Sequence, residues 1–226
     1  MRAWYRGWQI ITQGVFCSFF QVRTLQREHV PATGPVLLVS NHQSFLDPPL
    51  CGVGLHRELD YIARDSLFRN RWFAWYIRSL NAFPIQRNSA DLRAIRTIIN
   101  RLRAGRAVVL FPEGTRTQDG RIRPFQSGIE LIARKSQATT VPVLIDGAFE
   151  TWPRHQTLPG LGRIYVWYGE PIPPERIRRM PPGQYVAEIN ERLRQMQNAL
   201  RKRYHRRVIR YPKVKATPGQ KKAKND

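Results

Sequence analysis

The sequence predicts an α/β fold: a single domain with a mixed, largely parallel sheet flanked by helices. Three observations point there. Short unbroken apolar runs, such as Val36, Leu37, Leu38, Val39 and Ala107, Val108, Val109, Leu110, suit strands buried on both faces. Segments with apolar residues at helical spacing alternate with them. Polar or glycine-containing loops close the runs, as α/β layers require. A chain of 226 residues has room for one substantial core and hardly for two.

Residues 4–22 are rich in Trp, Phe, Ile and Val. Arg6, Gln9, Thr12, Gln13, Ser18 and Gln21 interrupt the segment, so it falls short of the roughly 18 apolar residues of a spanning helix. It also has no clear small-residue cleavage site of a removed leader. Trp4, Trp8, Ile11, Val15, Phe19 and Val22 recur at helical spacing, and Trp and Arg favour a lipid–water interface. Residues 1–28 are therefore expected to form an N-terminal membrane-interfacial helix; the competing reading packs the stripe on the chain's own domain.

The α/β domain is expected over residues 29–200, with strands near 36–39, 59–63, 82–85, 107–111, 140–145 and 163–168. Asp47 reads as the N-cap of a helix, with Pro48 and Pro49 in its first turn. Residues 89–104 make the clearest helix, with Leu92, Ile95, Ile98, Ile99 and Leu102 on one face, Asn88 and Asp91 as a capping pair, and Gly105 as the stop. Further helices are expected over 127–135 and from Gln184, where Tyr185, Ile189, Leu193, Met196 and Leu200 share a face. Residues 201–226 hold eleven Lys or Arg against one acid and are expected to be a disordered basic tail.

The formal charge of +22 calls for a polyanionic partner: nucleic acid, an anionic bilayer, or phosphorylated small molecules. Cys17 and Cys51 form no CxxC or Cys/His cluster, which argues against a disulfide framework or structural metal and fits a reducing compartment. No recognised nucleic-acid motif accompanies the charge, and the aromatics cluster near the N-terminus rather than between basic residues on a strand.

His42 ends a buried strand five residues before Asp47. That spacing can bring imidazole and carboxylate together across a turn, leaving the second ring nitrogen to take a proton from an alcohol. The bland alternative is a loop histidine beside a helix cap. Five histidines and seven aspartates make such a spacing by chance often enough that the pair alone carries little weight. There is no GxSxG elbow to supply a serine nucleophile. A second loop, Phe111, Pro112, Glu113, Gly114, Thr115, Arg116, follows another buried strand, where α/β proteins place ligands. Gly114 allows a tight turn, and Arg116 offers a planar fork for a phosphate. Glu113 can accept from substrate hydroxyls or hold the arginine. Asn81 to Arg87 places a second arginine beyond a short strand, and Val141, Pro142 and Val143 lie in a further core strand.

In this order and spacing the four segments resemble the 1-acylglycerol-3-phosphate acyltransferase family, the lysophosphatidate and glycerolipid acyltransferases. The resemblance covers residues 30–175 and includes Arg123, Pro124, Phe125 and Gly128. It implies an α/β domain docked on the cytoplasmic face of a membrane through an N-terminal helical element. It implies acyl transfer from acyl-CoA or acyl-carrier protein to the sn-2 hydroxyl of lysophosphatidate, giving phosphatidate. His42 would be the general base and Asp47 its orienter; Arg87 and Arg116 would grip the acceptor phosphate, with Glu113, Gly114 and Thr115 shaping the pocket. No metal or bound cofactor is implied, because the thioester is already activated; the implied partners are an anionic phospholipid membrane, the lysophospholipid acceptor and the acyl donor, with no specific nucleic acid. Asn81 stands where the family has Gly, and Gln86 where an acid is frequent. Gln126 and Ser127 follow Phe125, where the family often has Lys. These departures leave the acceptor open: glycerol-3-phosphate, another lysophospholipid and a lyso-ornithine lipid are alternatives, with nucleic-acid binding as the rival outside acyl transfer.

Overall fold

The structure, a computed structural model, describes residues 2–85 and 92–211. In chain order the elements are α1 (Ala3–Phe20), β1 (Arg23–Leu25), β2 (Val36–Ser40), α2 (Asp47–Gly52), β3 (Leu59–Arg64), α3 (Arg71–Ser79), β4 (Ala82–Ile85), α4 (Leu92–Arg103), β5 (Ala107–Leu110), α5 (Gly128–Ser136), β6 (Thr139–Asp146), α6 (Ala148–Thr151), β7 (Tyr165–Tyr168), α7 (Pro174–Arg179) and α8 (Gln184–Arg203). The strands form one sheet in the order β1-β7-β6-β2-β5-β3-β4. From β6 to β4 all neighbours are parallel; β7 runs antiparallel to β6 and carries β1 parallel to itself at the edge.

β2 lies in the middle, which explains its unbroken apolar run. Val36 and Leu38 point into one core with Phe16, Phe20 and Leu50, while Leu37 and Val39 point into the other with Leu102, Ile132 and Leu193. Successive strand side chains alternate between faces, so a strand covered on both must be apolar at every position. The fold class follows as expected: one mixed, mostly parallel sheet between helical layers.

Several expectations need correction. The segment expected to be helical through residue 28 ends its helix at Phe20; residues 23–25 join the sheet, their backbone groups being satisfied by β7. α3, α6 and α7 were not foreseen. α3 reads RWFAWYIRS, only nine residues long and shorter than the window over which a helical period is read from sequence. The basic segment does not leave the domain at Arg201. α8 continues to Arg203, and Arg201 and Arg206 both grip buried Asp146, at 2.7 and 2.6 Å. Tyr211 then bonds Gln197 and accepts from Ile122 N. A basic composition hid the fact that these arginines have buried partners. The Asn88/Asp91 capping pair and the segment from residue 212 lie outside the described residues.

α1 packs on the domain through a face other than the predicted stripe. Tyr5, Gln9, Phe16 and Phe20 face the domain, whereas Trp4, Ile10, Ile11, Val15 and Phe19 are exposed. Among the described residues, no helix is long and apolar enough to cross a membrane.

At the end of β6 the chain turns through Gly147, with φ +99°. A Cβ there would lie 2.2 Å from the Arg163 carbonyl oxygen, a backbone atom that cannot step aside. Gly147→Ala is expected to destabilise the fold by about 2–5 kcal/mol through combined strain and overpacking, measured by urea denaturation.

Candidate active site

The parallel strands all end on one side of the sheet, and there β2 and β5 release their loops next to each other. Val39 pairs with Leu110, so His42 and Glu113 each lie three residues past the same rung. The loop after β2 is held by buried side chains. Asn41 bonds across to β6, donating to Ile145 O at 2.9 Å and accepting from Ile145 N at 2.8 Å. Buried Gln43 reaches Gly120 O and accepts from Phe149 N.

Asp47 is fully buried in the first turn of α2, and its carboxylate points backwards rather than capping that helix. Oδ2 accepts from Gln43 N and Ser44 N and lies 2.7 Å from His42 Nδ1. The residue expected as an N-cap therefore closes the preceding loop, because three donors converge there on one oxygen. A carboxylate facing Nδ1 favours the tautomer that donates from Nδ1 and turns Nε2 outward as an acceptor. The imidazole is stacked on Phe111, with ring centroids 4.4 Å apart and planes 24° apart.

Glu113 ties the second loop to the first. Oε1 accepts from His42 N at 2.9 Å and Oε2 from Arg123 N at 3.2 Å, while His42 O accepts from Thr117 N at 2.8 Å. Burial pushes the Glu113 carboxyl up to about 8; the two N–H donors oppose this, and the Asp47 charge adds to it. Gly114 takes φ +69°, and a Cβ there would meet the Gln126 side chain. Thr115 continues this turn, half-buried. Arg116 follows, its guanidinium carbon 3.4 Å over the exposed ring of Phe45. Phe45 in turn lies 5.5 Å from Trp152.

The structure thus brings His42, Asp47 and Glu113 into direct contact and sets Arg116 on the same loop cluster through Phe45. Arg87 lies outside the described residues. Asn81, which replaces the expected Gly, adopts φ +66°, a geometry asparagine tolerates. Phe45 and Asn41 were missed as site residues. An exposed Phe inside an otherwise polar turn was the available signal for Phe45; nothing local distinguishes Asn41, whose partner is 104 residues away.

A histidine held by a buried carboxylate at the carboxyl end of a parallel sheet defines an α/β enzyme class with a candidate general base. Residues 21–146, more than half of the chain, match the family described as Acyltransferase. The 1-acyl-sn-glycerol-3-phosphate acyltransferase of Bacillus subtilis is 28% identical over 184 residues, 79% of this chain and 89% of that protein. A lyso-ornithine lipid O-acyltransferase of Pseudomonas aeruginosa is 27% identical, covering 64% of this chain and 62% of its own length. Other relatives are matched over only about half their length, as in Streptococcus pneumoniae, at 52%. The crystal structure of the 1-acyl-sn-glycerophosphate acyltransferase of Thermotoga maritima superposes with a TM-score of 0.73 at 26% identity, over 85% of this chain and 79% of that one. The chain belongs to the acyltransferase family, and its relatives make it an O-acyltransferase.

Asp47→Ala strands the buried N–H groups of Gln43 and Ser44, and is expected to cost about 2–5 kcal/mol by chemical denaturation. Glu113 gives a pH signature. Its folded value, about 8, lies above its ordinary 4.5, so the folded state binds the extra proton. Stability from this group is fully present below the ordinary value and is lost as pH rises through about 8. Glu113→Gln should abolish that decline, flattening unfolding free energy against pH between the two values.

Proposed function

We propose that this enzyme moves a fatty acyl group from acyl-CoA or acyl-carrier protein to the sn-2 hydroxyl of 1-acyl-sn-glycerol-3-phosphate, giving phosphatidate. The observation that carries this reading is the 2.7 Å contact between His42 Nδ1 and Asp47 Oδ2, since it leaves Nε2 as the atom that accepts a proton. The acceptor O–H gives its proton to Nε2 as the oxygen attacks the thioester carbonyl carbon. Asp47 stabilises the imidazolium that results. The C–S bond then breaks, and the departing thiolate takes the proton from His42.

Arg116 and Arg87 are assigned to the acceptor phosphate, and Glu113, Gly114 and Thr115 to the walls of its pocket. Two features suit an anionic acceptor. The guanidinium of Arg116 is carried on Phe45, three residues from His42. Burial of Glu113 favours its neutral form near neutral pH, which spares the phosphate a repulsive charge. Exposed Ile11, Val15 and Phe19 suit α1 to lie in the headgroup region of an anionic membrane, at the cytoplasmic face, where the lipid acceptor resides.

A lyso-ornithine lipid is the second reading of the acceptor, supported by the Pseudomonas relative whose name specifies that substrate. Nucleic-acid binding remains the rival use of the basic charge. A panel of lysophosphatidate, glycerol-3-phosphate and lyso-ornithine lipid, assayed with both donors, separates the acceptors. His42→Ala is expected to lower kcat on lysophosphatidate by ~10²–10⁴-fold with the circular-dichroism spectrum unchanged. Transfer at the wild-type rate in that variant would overturn the mechanism.

A further inference from the structure

α3 is almost uncovered: of its nine residues only Ala74 is buried. Trp72 is 84% exposed and Trp75 61%, with Phe73 and the preceding Leu67 also exposed. Tryptophans this open are uncommon on a surface that meets only water. They continue onto α1. Trp4 lies 6.1 Å from Trp75, Trp8 lies 5.1 Å from Tyr76, and Trp4 Nε1 donates to Ser79 Oγ at 2.9 Å.

The border of this patch is basic. Residues 64–78 contain Arg64, Arg69, Arg71 and Arg78 against one acid, Asp65. Among the described residues neither Arg71 nor Arg78 forms an ion pair. Both line a groove of about 420 Å³ with Phe68 and Trp75, and Arg78 lies over the Phe68 ring at 5.1 Å. Two cations beside exposed indoles match the interfacial region of an anionic bilayer, where phosphates lie above the first acyl carbons. A protein partner or a second copy would have to bury this cation-rich groove; a second copy would bring the same arginines against it.

We propose that α3 is a phospholipid-docking element in its own right: Trp72 and Trp75 enter the acyl region of an anionic leaflet, and Arg71 and Arg78 hold a lipid phosphate in the groove. The inference rests on the membrane reading of the proposed function and extends it from α1 to a surface shared with the catalytic domain. α3 follows β3 from the active-site end of the sheet, so docking there also sets the tilt at which the site meets the bilayer.

The test is sedimentation of the full chain with phosphatidylcholine vesicles, with and without phosphatidylglycerol, at fixed salt and without acyl donor. Trp72→Ser/Trp75→Ser should lower partitioning into both by about tenfold or more. Arg71→Gln/Arg78→Gln should lower it only on the phosphatidylglycerol vesicles, by about fivefold per arginine. Trp72→Ser alone, at the most exposed of these positions, guards against a folding defect and should show the same direction. Ile11→Ser/Phe19→Ser provides the α1 arm. If that variant loses binding while both α3 variants partition as the wild type does, α3 docking is overturned and the membrane reading survives. If the wild type itself ignores both vesicles, the membrane reading falls as well. A wild-type dimer converted to monomer by Trp72→Ser/Trp75→Ser, with vesicle affinity unchanged, would make the face an interface between copies and also overturn the proposal.

Discussion

Three hydrogen bonds to one carboxylate oxygen organise this site. Oδ2 of Asp47 gathers His42 Nδ1, Gln43 N and Ser44 N, so the loop after β2 is wound around a buried anion. A carboxylate out of water is tolerated only when donors replace its hydration. Here the same donors define the loop's shape and the histidine's orientation. Folding of the turn and orientation of His42 are therefore one event.

Glu113 extends that order to the next strand. Its two oxygens hold His42 N and Arg123 N, so the loops after β2 and β5 cannot move apart without breaking a part-buried hydrogen bond. Asn41 performs the matching role towards β6. The candidate base thus sits on a loop pinned to both neighbouring strands, with Phe111 stacked on its ring. Such rigidity holds the imidazole at one angle. Arg116 joins the same loop cluster through the ring of Phe45.

The basic charge divides into two kinds. Arg101 and Arg106 on Asp60, and Arg201 and Arg206 on Asp146, neutralise buried carboxylates and brace the sheet. The arginines bordering α3 have no such partners among the described residues. Net charge alone cannot separate internal neutralisation from surface attraction, since both draw on the same residue type.

Much of this protein was legible one residue at a time. Strands buried on both faces need apolar residues at every position, so β2 and β5 announced themselves, and α8 did so through its period. The His42–Asp47 pairing was readable because both ends lie within one turn. Arg116 was readable only as part of a motif. What tertiary structure decided were the relations between distant segments: that Asp47 turns back instead of capping α2, that Glu113 grips His42 across 71 residues, and that Arg201 is buried against Asp146. It also decided which side of α1 faces solvent, and it exposed α3. The physical reason is common to all of these. Local periodicity records which face of an element is apolar, but burial, hydrogen-bond partners and pKa depend on what another part of the chain places against that face.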